Sequence, residues 1–99
     1  MDWRKQARKA LREYPKAKKR NGEADQAVIS SVEFAMQMQD VYPNANERRL
    51  MVELVYFRGT HTMYGAARIC HYAKDTVQKW AAEIMSAVYV GLISKGRKD

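Results

Sequence analysis

The sequence predicts an all-α fold, a small helical bundle of about five helices with a C-terminal helix-turn-helix. Apolar residues recur three or four apart in Val28, Ile29, Val32, Ala35 and Met36, and again in Val77, Trp80, Ala81, Ile84, Val88 and Leu92. That is the period of a helix with one buried face. No stretch carries a strand signal that competes with it. The stretch AARICHYAKDTVQKWAAEI, residues 66–84, reads as two short helices about a tight turn. Ala66, Cys70, Tyr72, Val77 and Trp80 are expected to face inward, with small Ala67 at the closest crossing. Lys74, Asp75, Gln78 and Lys79 are expected to face out. A recognition helix divides its faces in this way, one side packed and the other offered to the major groove.

The elements follow in chain order. Residues 2–13 form a helix with Asp2 as its cap and Trp3, Ala7, Ala10 and Leu11 on one stripe. Pro15 bars continuation, so KAKKRNG is expected to be a flexible basic link ending at Asn21-Gly22. Residues 23–42 form a second helix, with Glu23 and Asp25 suited to its N-terminal dipole end. It holds four acidic residues and no Lys or Arg, so it is expected to lie away from DNA. Met36 and Met38 fit core or interface filler.

Pro43-Asn44 marks a turn, after which Asn44 or Asn46 caps a third helix running to about Arg58. Leu50, Met51, Leu54, Val55 and Phe57 make its apolar face; Glu47, Arg48, Arg49 and Glu53 make its wet side. Gly59 suits a left-handed C-terminal residue. Thr60 or Thr62 caps a fourth helix over 62–70, and His71-Tyr72-Ala73 turns into a fifth from Lys74 to Ile93. That helix is longer than groove reading requires, so its later turns are expected to pack on the second or third helix or on a second subunit. The tail SKGRKD reads as polar and frayed.

Ninety-nine residues make one small domain, and a single cysteine excludes an intramolecular disulfide and suits a reducing cytoplasm. No apolar run approaches the roughly 18 residues of a membrane span, and the basic N-terminus has no apolar segment after it to make a secretory signal. The net charge of +7 is unevenly placed. Residues 1–22 hold nine Lys/Arg (Arg4, Lys5, Arg8, Lys9, Arg12, Lys16, Lys18, Lys19 and Arg20) against Asp2 and Glu13, which accounts for the whole excess. The chain thus divides into a basic N-terminal helix or arm, 1–22, and a helical body, 23–99, with the helix-turn-helix at about 62–93. A positive arm on a neutral body suits phosphate contact through counterion release. The thin, Ala-rich apolar face of the first helix argues against a membrane-surface helix.

Catalytic constellations are absent from the sequence. A zinc site would have to draw on His61, Cys70 and His71, one ligand short of a structural set. Cys70 fits a buried structural thiol, His61 a solvated loop residue and His71 a turn residue within reach of a phosphate. There is no Gly-rich phosphate loop and no Ser-His-Asp set. Trp80 fits a core anchor better than a base-stacking platform, because the tyrosines scatter over several helices with no sheet to array them. No enzyme activity, cofactor or metal is expected.

Three features together resemble the phage-encoded transcriptional regulators of the RinA/ArpU type: LREYP near the N-terminus, ERRLMVELVYFRG, and AARICHYAKDTVQKWAAEI. Members carry a helix-turn-helix like that of sigma-factor region 4, whose recognition helix commonly reads S-R-S-T-V-x-R-W; AKDTVQKW is similar to it. The resemblance covers residues 46–93 well and 11–15 weakly. It implies sequence-specific binding upstream of phage late genes and activation of host RNA polymerase. Lys74, Asp75, Thr76, Gln78 and Lys79 match the positions that reach bases or phosphates. Ala73 stands where a capping Ser is common, a loss of roughly 1 kcal/mol. Asp75 replaces a small neutral residue and His71 a turn glycine.

These readings combine into an expected function: a sequence-specific double-stranded-DNA-binding regulator of phage or prophage genes, in the cytoplasm and nucleoid of a bacterial host. Gln78 is the leading base reader, since its amide pairs bidentately with adenine. Lys74 and Lys79 suit guanine or phosphate. Arg58, Arg68 and His71 flank the motif as backbone contacts, and Lys16, Lys18, Lys19 and Arg20 supply the arm's phosphate affinity. A homodimer is expected to suit half-site binding, with Tyr89, Val90 and Ile93 as interface residues if exposed. Two alternatives are a small-terminase-like packaging protein, disfavoured by the C-terminal place of the motif, and a protein-docking module for polymerase or sigma factor that uses the acidic helix.

Overall fold

Asp2 opens the first helix, its carboxylate accepting the Arg4 N–H at 3.0 Å. In the computed structural model, which describes residues 2–96, this helix (α1, Trp3–Arg20) runs straight through Pro15. The expected flexible link is therefore helix. Pro15 costs α1 the N–H that would have reached the Leu11 carbonyl, but tertiary contacts hold the turns on either side. Tyr14 donates to Glu33 at 2.8 Å and its ring lies 5.0 Å from that of Phe57. Ala17 is buried, and Lys18 pairs with Glu33 at 2.5 Å. Asn21, left-handed at φ 50°, closes the helix by donating to the Ala17 carbonyl at 2.8 Å.

A short 3₁₀ turn (Glu23–Asp25) leads into α2 (Gln26–Met38), and another (Gln39–Val41) follows it. Helical backbone thus covers nearly all of the expected second helix. The third helix, α3 (Ala45–Val52), passes into a π-helical turn over Glu53–Phe57. Asn44 stands at its N-cap position but caps nothing with its side chain; that oxygen instead accepts from Arg48 Nε at 3.1 Å. Two expectations fail on this helix. Arg48, assigned to the wet side, is buried, and Leu50, assigned to the core, is exposed. Arg48, Met51 and Val52, at i, i+3 and i+4, make the inward face, and Leu50 falls beside it. After the π turn, Leu54 and Tyr56 point in while Val55 and Phe57 are half-buried, because i→i+5 bonding shifts the register of the face.

Gly59 has φ +67°, as its position suggests. Thr62, not Thr60, caps α4 (Met63–Cys70), its hydroxyl accepting the Gly65 N–H at 3.1 Å. His71, at φ 63°, ends α4: its N–H reaches the Arg68 carbonyl, and the Tyr72 N–H reaches Ala67 at 3.0 Å. This double closure is the usual left-handed stop of a helix. α5 (Lys74–Gly96) starts three residues later and outlasts the expected end at Ile93. The expected fraying is absent up to Gly96, and the remainder of that tail lies outside the described residues.

Among the described residues there are five α-helices and no strand. α5 packs chiefly on α2, and α1 lies against both. Leu11, Val32, Met51, Val52, Val77, Ile84 and Val88 are fully buried between them. Trp80 is 3% exposed, the core anchor its spacing implied. Tyr72, expected inside, is 39% exposed; its ring meets Trp80 edge-on at 4.7 Å and shields the turn instead of entering the core. Gly91 marks the tightest crossing, since a Cβ there would fall 2.9 Å from the Ser31 Cα.

Candidate nucleic-acid interface

The turn at His71–Ala73 sets α5 against α4 so that Val77, Trp80 and Ala81 are buried. Helical spacing then turns Lys74, Asp75, Gln78 and Lys79 outward, and all four are exposed, with Thr76 half-buried between them. The first turn has no side-chain cap at Ala73; its opening bond is Val77 N–H to the Ala73 carbonyl at 3.1 Å. Asp75 sits in that first turn, where a carboxylate meets the positive end of the helix dipole. Its place is accounted for by the helix itself.

Gln78 does not stand alone. It lines a groove of about 400 Å³ with Arg4, Arg8 and Arg12 of α1, floored by Tyr56, Met63, Ala81 and Met85. The four-residue spacing of the three arginines lays them along one stripe of α1. Among the described residues none of the three has a carboxylate within ion-pair distance. Burial pushes the Tyr56 phenol above its ordinary range, while the charges of Arg8 and Arg12 pull it the other way. The two guanidinium groups and the Tyr56 ring line the same groove.

Arg12 carries the basic face further. It lines a second hollow of about 500 Å³ with Arg58, Gly59, His61 and Thr62. A third, of about 430 Å³, adds Lys5, Lys9 and Lys16, with Glu13 the one acidic residue of its lining. The face is therefore continuous from Gln78 across α1. His61 is half-buried, its Nδ1 2.8 Å from the Thr60 hydroxyl. Arg58 is paired with Glu53 at 3.1 Å.

Other expected contacts are not brought to this face. Lys18 is held by Glu33, and Arg20 by Asp25 at 2.9 Å and Glu13 at 3.3 Å. The acidic residues of the second segment thus neutralise the C-terminal end of α1. Hydrogen bonds from Lys18 and then Tyr14 hold the Glu33 carboxyl below its ordinary range. Lys19 is exposed at the same end, and Arg68 and His71 are exposed at the end of α4, outside the grooves that Arg12 joins. In the sequence, Arg4, Arg8 and Arg12 stand out only as part of the arm's charge. Their i, i+4, i+8 spacing is the signal that sets them apart.

Cys70 is buried, its Sγ 3.5 Å from the Glu47 carbonyl, and burial first and Glu47 second raise its thiol pKa. A raised pKa disfavours the nucleophilic thiolate. Among the described residues no helix is long and apolar enough to cross a membrane. Comparison with protein-family models, with curated proteins and with solved structures finds no match.

Proposed function

We propose that this chain is a double-stranded-DNA-binding transcriptional regulator that reads sequence with the first two turns of α5. The observation that carries the reading is the shared groove: Gln78, exposed on α5, lies beside three arginines of α1 that have no acidic partner among the described residues. A polar amide suited to a base edge, flanked by cations suited to phosphates (Arg4 also lying over the Trp3 ring at 5.3 Å), matches the division of labour in DNA recognition. In this reading Lys74 and Lys79 extend the contact along α5, and Arg4, Arg8 and Arg12 follow the neighbouring backbone. The RinA/ArpU resemblance narrows the proposal to phage or prophage late genes, with host RNA polymerase as a protein partner. A bacterial cytoplasm is then the setting.

The test is selection of sites from random duplex DNA followed by salt titration of the enriched sequences. A motif bound at least about 10³-fold more tightly than random duplex supports a sequence-reading regulator. Weak, salt-sensitive binding with no enriched motif would reject it and favour a packaging or polymerase-docking role.

A further inference from the structure

One hydroxyl beneath the basic face has no use in the fold. Tyr56 stands in the π-helical turn, which packs against α1, and turns of this kind recur at functional sites. The residue is only 6% exposed, yet among the described residues its oxygen has no hydrogen-bond partner. None of their fully buried side-chain oxygens is left in that condition. The accessible part of Tyr56 therefore includes the hydroxyl itself. The residue borders two hollows, one lined by Arg4, Arg8, Arg12 and Gln78, the other by Arg12, Arg58 and His61. Neither lining holds an acidic residue.

We propose that Tyr56, Arg8 and Arg12 form the seat of one phosphate group, the hydroxyl donating to a phosphate oxygen and the guanidinium groups balancing its charge. Two observations select an oxyanion. The first is an imbalance of donors. A guanidinium has no acceptor atom, so neither arginine can take the phenolic proton, and the hydroxyl is satisfied only when an acceptor arrives from outside. The second is charge. Among the described residues Arg8 and Arg12 pair with no carboxylate, and their charges act on the phenol against the larger effect of burial.

Tyrosine hydroxyls and arginines both contact phosphate oxygens when proteins hold a duplex. The seat rests on the DNA-binding reading only for the source of its phosphate, which is then the backbone beside the base that Gln78 reads. A hydroxyl so nearly buried and unpaired is a cost to the free chain. Its removal is therefore expected to leave the fold intact and to show its effect on the ligand.

Tyr56→Phe in the whole chain is the test, since it keeps the ring and removes the oxygen alone. Affinity is expected to fall about tenfold on a selected and a scrambled duplex alike, because a phosphate contact carries no sequence. The slope of log affinity against log salt is expected to hold, because the hydroxyl carries no charge; a structural disturbance of Arg8 and Arg12 would make it shallower. A second arm omits DNA: inorganic phosphate, compared with chloride at equal ionic strength, is expected to raise the Tm of the wild-type chain and not that of Tyr56→Phe. A loss on duplex without a phosphate response supports the seat and assigns it to the backbone. A phosphate response that needs the hydroxyl, without an effect on duplex, supports it as a seat for free phosphate. If the wild-type chain then binds no duplex at all, the DNA reading falls and the seat remains. Tyr56→Phe matching the wild-type chain in both arms overturns the seat, and duplex binding by the wild-type chain still decides the DNA reading. A loss confined to the selected duplex overturns it too, since the hydroxyl would then be reading a base.

Discussion

Arg48 donates from Nη1 to Glu83 at 3.0 Å, joining α3 to α5 little more than one turn beyond Gln78. The guanidinium is 7% exposed on its side chain, and it also donates to Gln39 and to Asn44, both at 3.1 Å. Its planar carbon lies 3.6 Å from the Tyr42 ring centroid, and the Trp80 ring is 5.4 Å away. One cation therefore binds the end of α2, the start of α3 and the middle of α5. Arg48→Ala leaves the Gln39 amide oxygen without its partner and opens space beside Trp80. The expected loss is about 2–4 kcal/mol by urea unfolding. Glu83→Gln keeps a hydrogen-bond acceptor at a side chain already 38% exposed, so its expected loss is below about 1 kcal/mol. Equal losses from the two would show that the pair, not the wider network, holds α5.

Pro15 is tolerated in α1; it is not favoured there. The turns around it are held by Tyr14, Ala17 and Lys18. Alanine at this position restores an N–H to the Leu11 carbonyl and relieves the ring. Pro15→Ala is expected to stabilise the chain by about 1–3 kcal/mol, reduced by the greater freedom it returns to the unfolded state. A loss of stability in thermal unfolding would mean that the proline ring itself supplies packing at this half-buried site.

Acid stability is tied to Glu33. Its folded carboxyl pKa lies below the ordinary value of 4.5, chiefly through the Lys18 hydrogen bond and then that of Tyr14. A lowered folded pKa means the unfolded chain binds the proton more tightly. The contribution is thus fully present above about 4.5 and is lost as pH falls through the lower folded value. Glu33→Gln is expected to flatten stability against pH in that acid window and to change little of its slope near neutrality. The same site pushes the Tyr14 phenol up to about 12, by burial first and by Glu33 second. An ultraviolet titration is therefore expected to show a late step from Tyr14, which Tyr14→Phe removes, beside the phenol of Tyr56, which burial also raises.

These contacts mark where sequence reading succeeds and stops. The stripe from Val77 to Val88 is a local periodicity, so the buried face of α5 was legible. Gly59 and Thr62 act on their own neighbours and were legible for the same reason. Pro15 misled because the rule against interior proline is local, whereas its compensation comes from α2 and the π turn. Arg48 was hidden because Asn44 alone among its partners stands at a helical spacing from it, while Gln39 and Glu83 come from positions that no spacing rule connects. The stripe Arg4-Arg8-Arg12 was readable as one face of a helix. That this face borders Gln78 depends on how α1 packs, and the sequence carries no direct sign of it.

Ion pairing separates the basic residues into two groups with different expected effects on DNA. Lys18 and Arg20 already have carboxylate partners, so binding a phosphate must first break an existing pair. Arg4, Arg8 and Arg12 have none among the described residues. Neutralising Arg8 and Arg12 to Gln is expected to weaken binding to all duplexes alike. For each phosphate that no longer meets a cation, the slope of log affinity against log salt should become shallower by about 0.9. Lys18→Gln with Arg20→Gln should change that slope by less than half as much, and is expected to cost some stability through Glu33 and Asp25 instead. Gln78→Ala is expected to behave in a third way, lowering affinity for the selected sequence by about 1–3 kcal/mol while leaving random duplex and the salt slope unchanged. Fluorescence anisotropy on the selected and a scrambled duplex at several salt concentrations distinguishes the three. A uniform loss from Gln78→Ala on both duplexes would remove it as a base reader and leave the groove beside α1 as a phosphate seat alone.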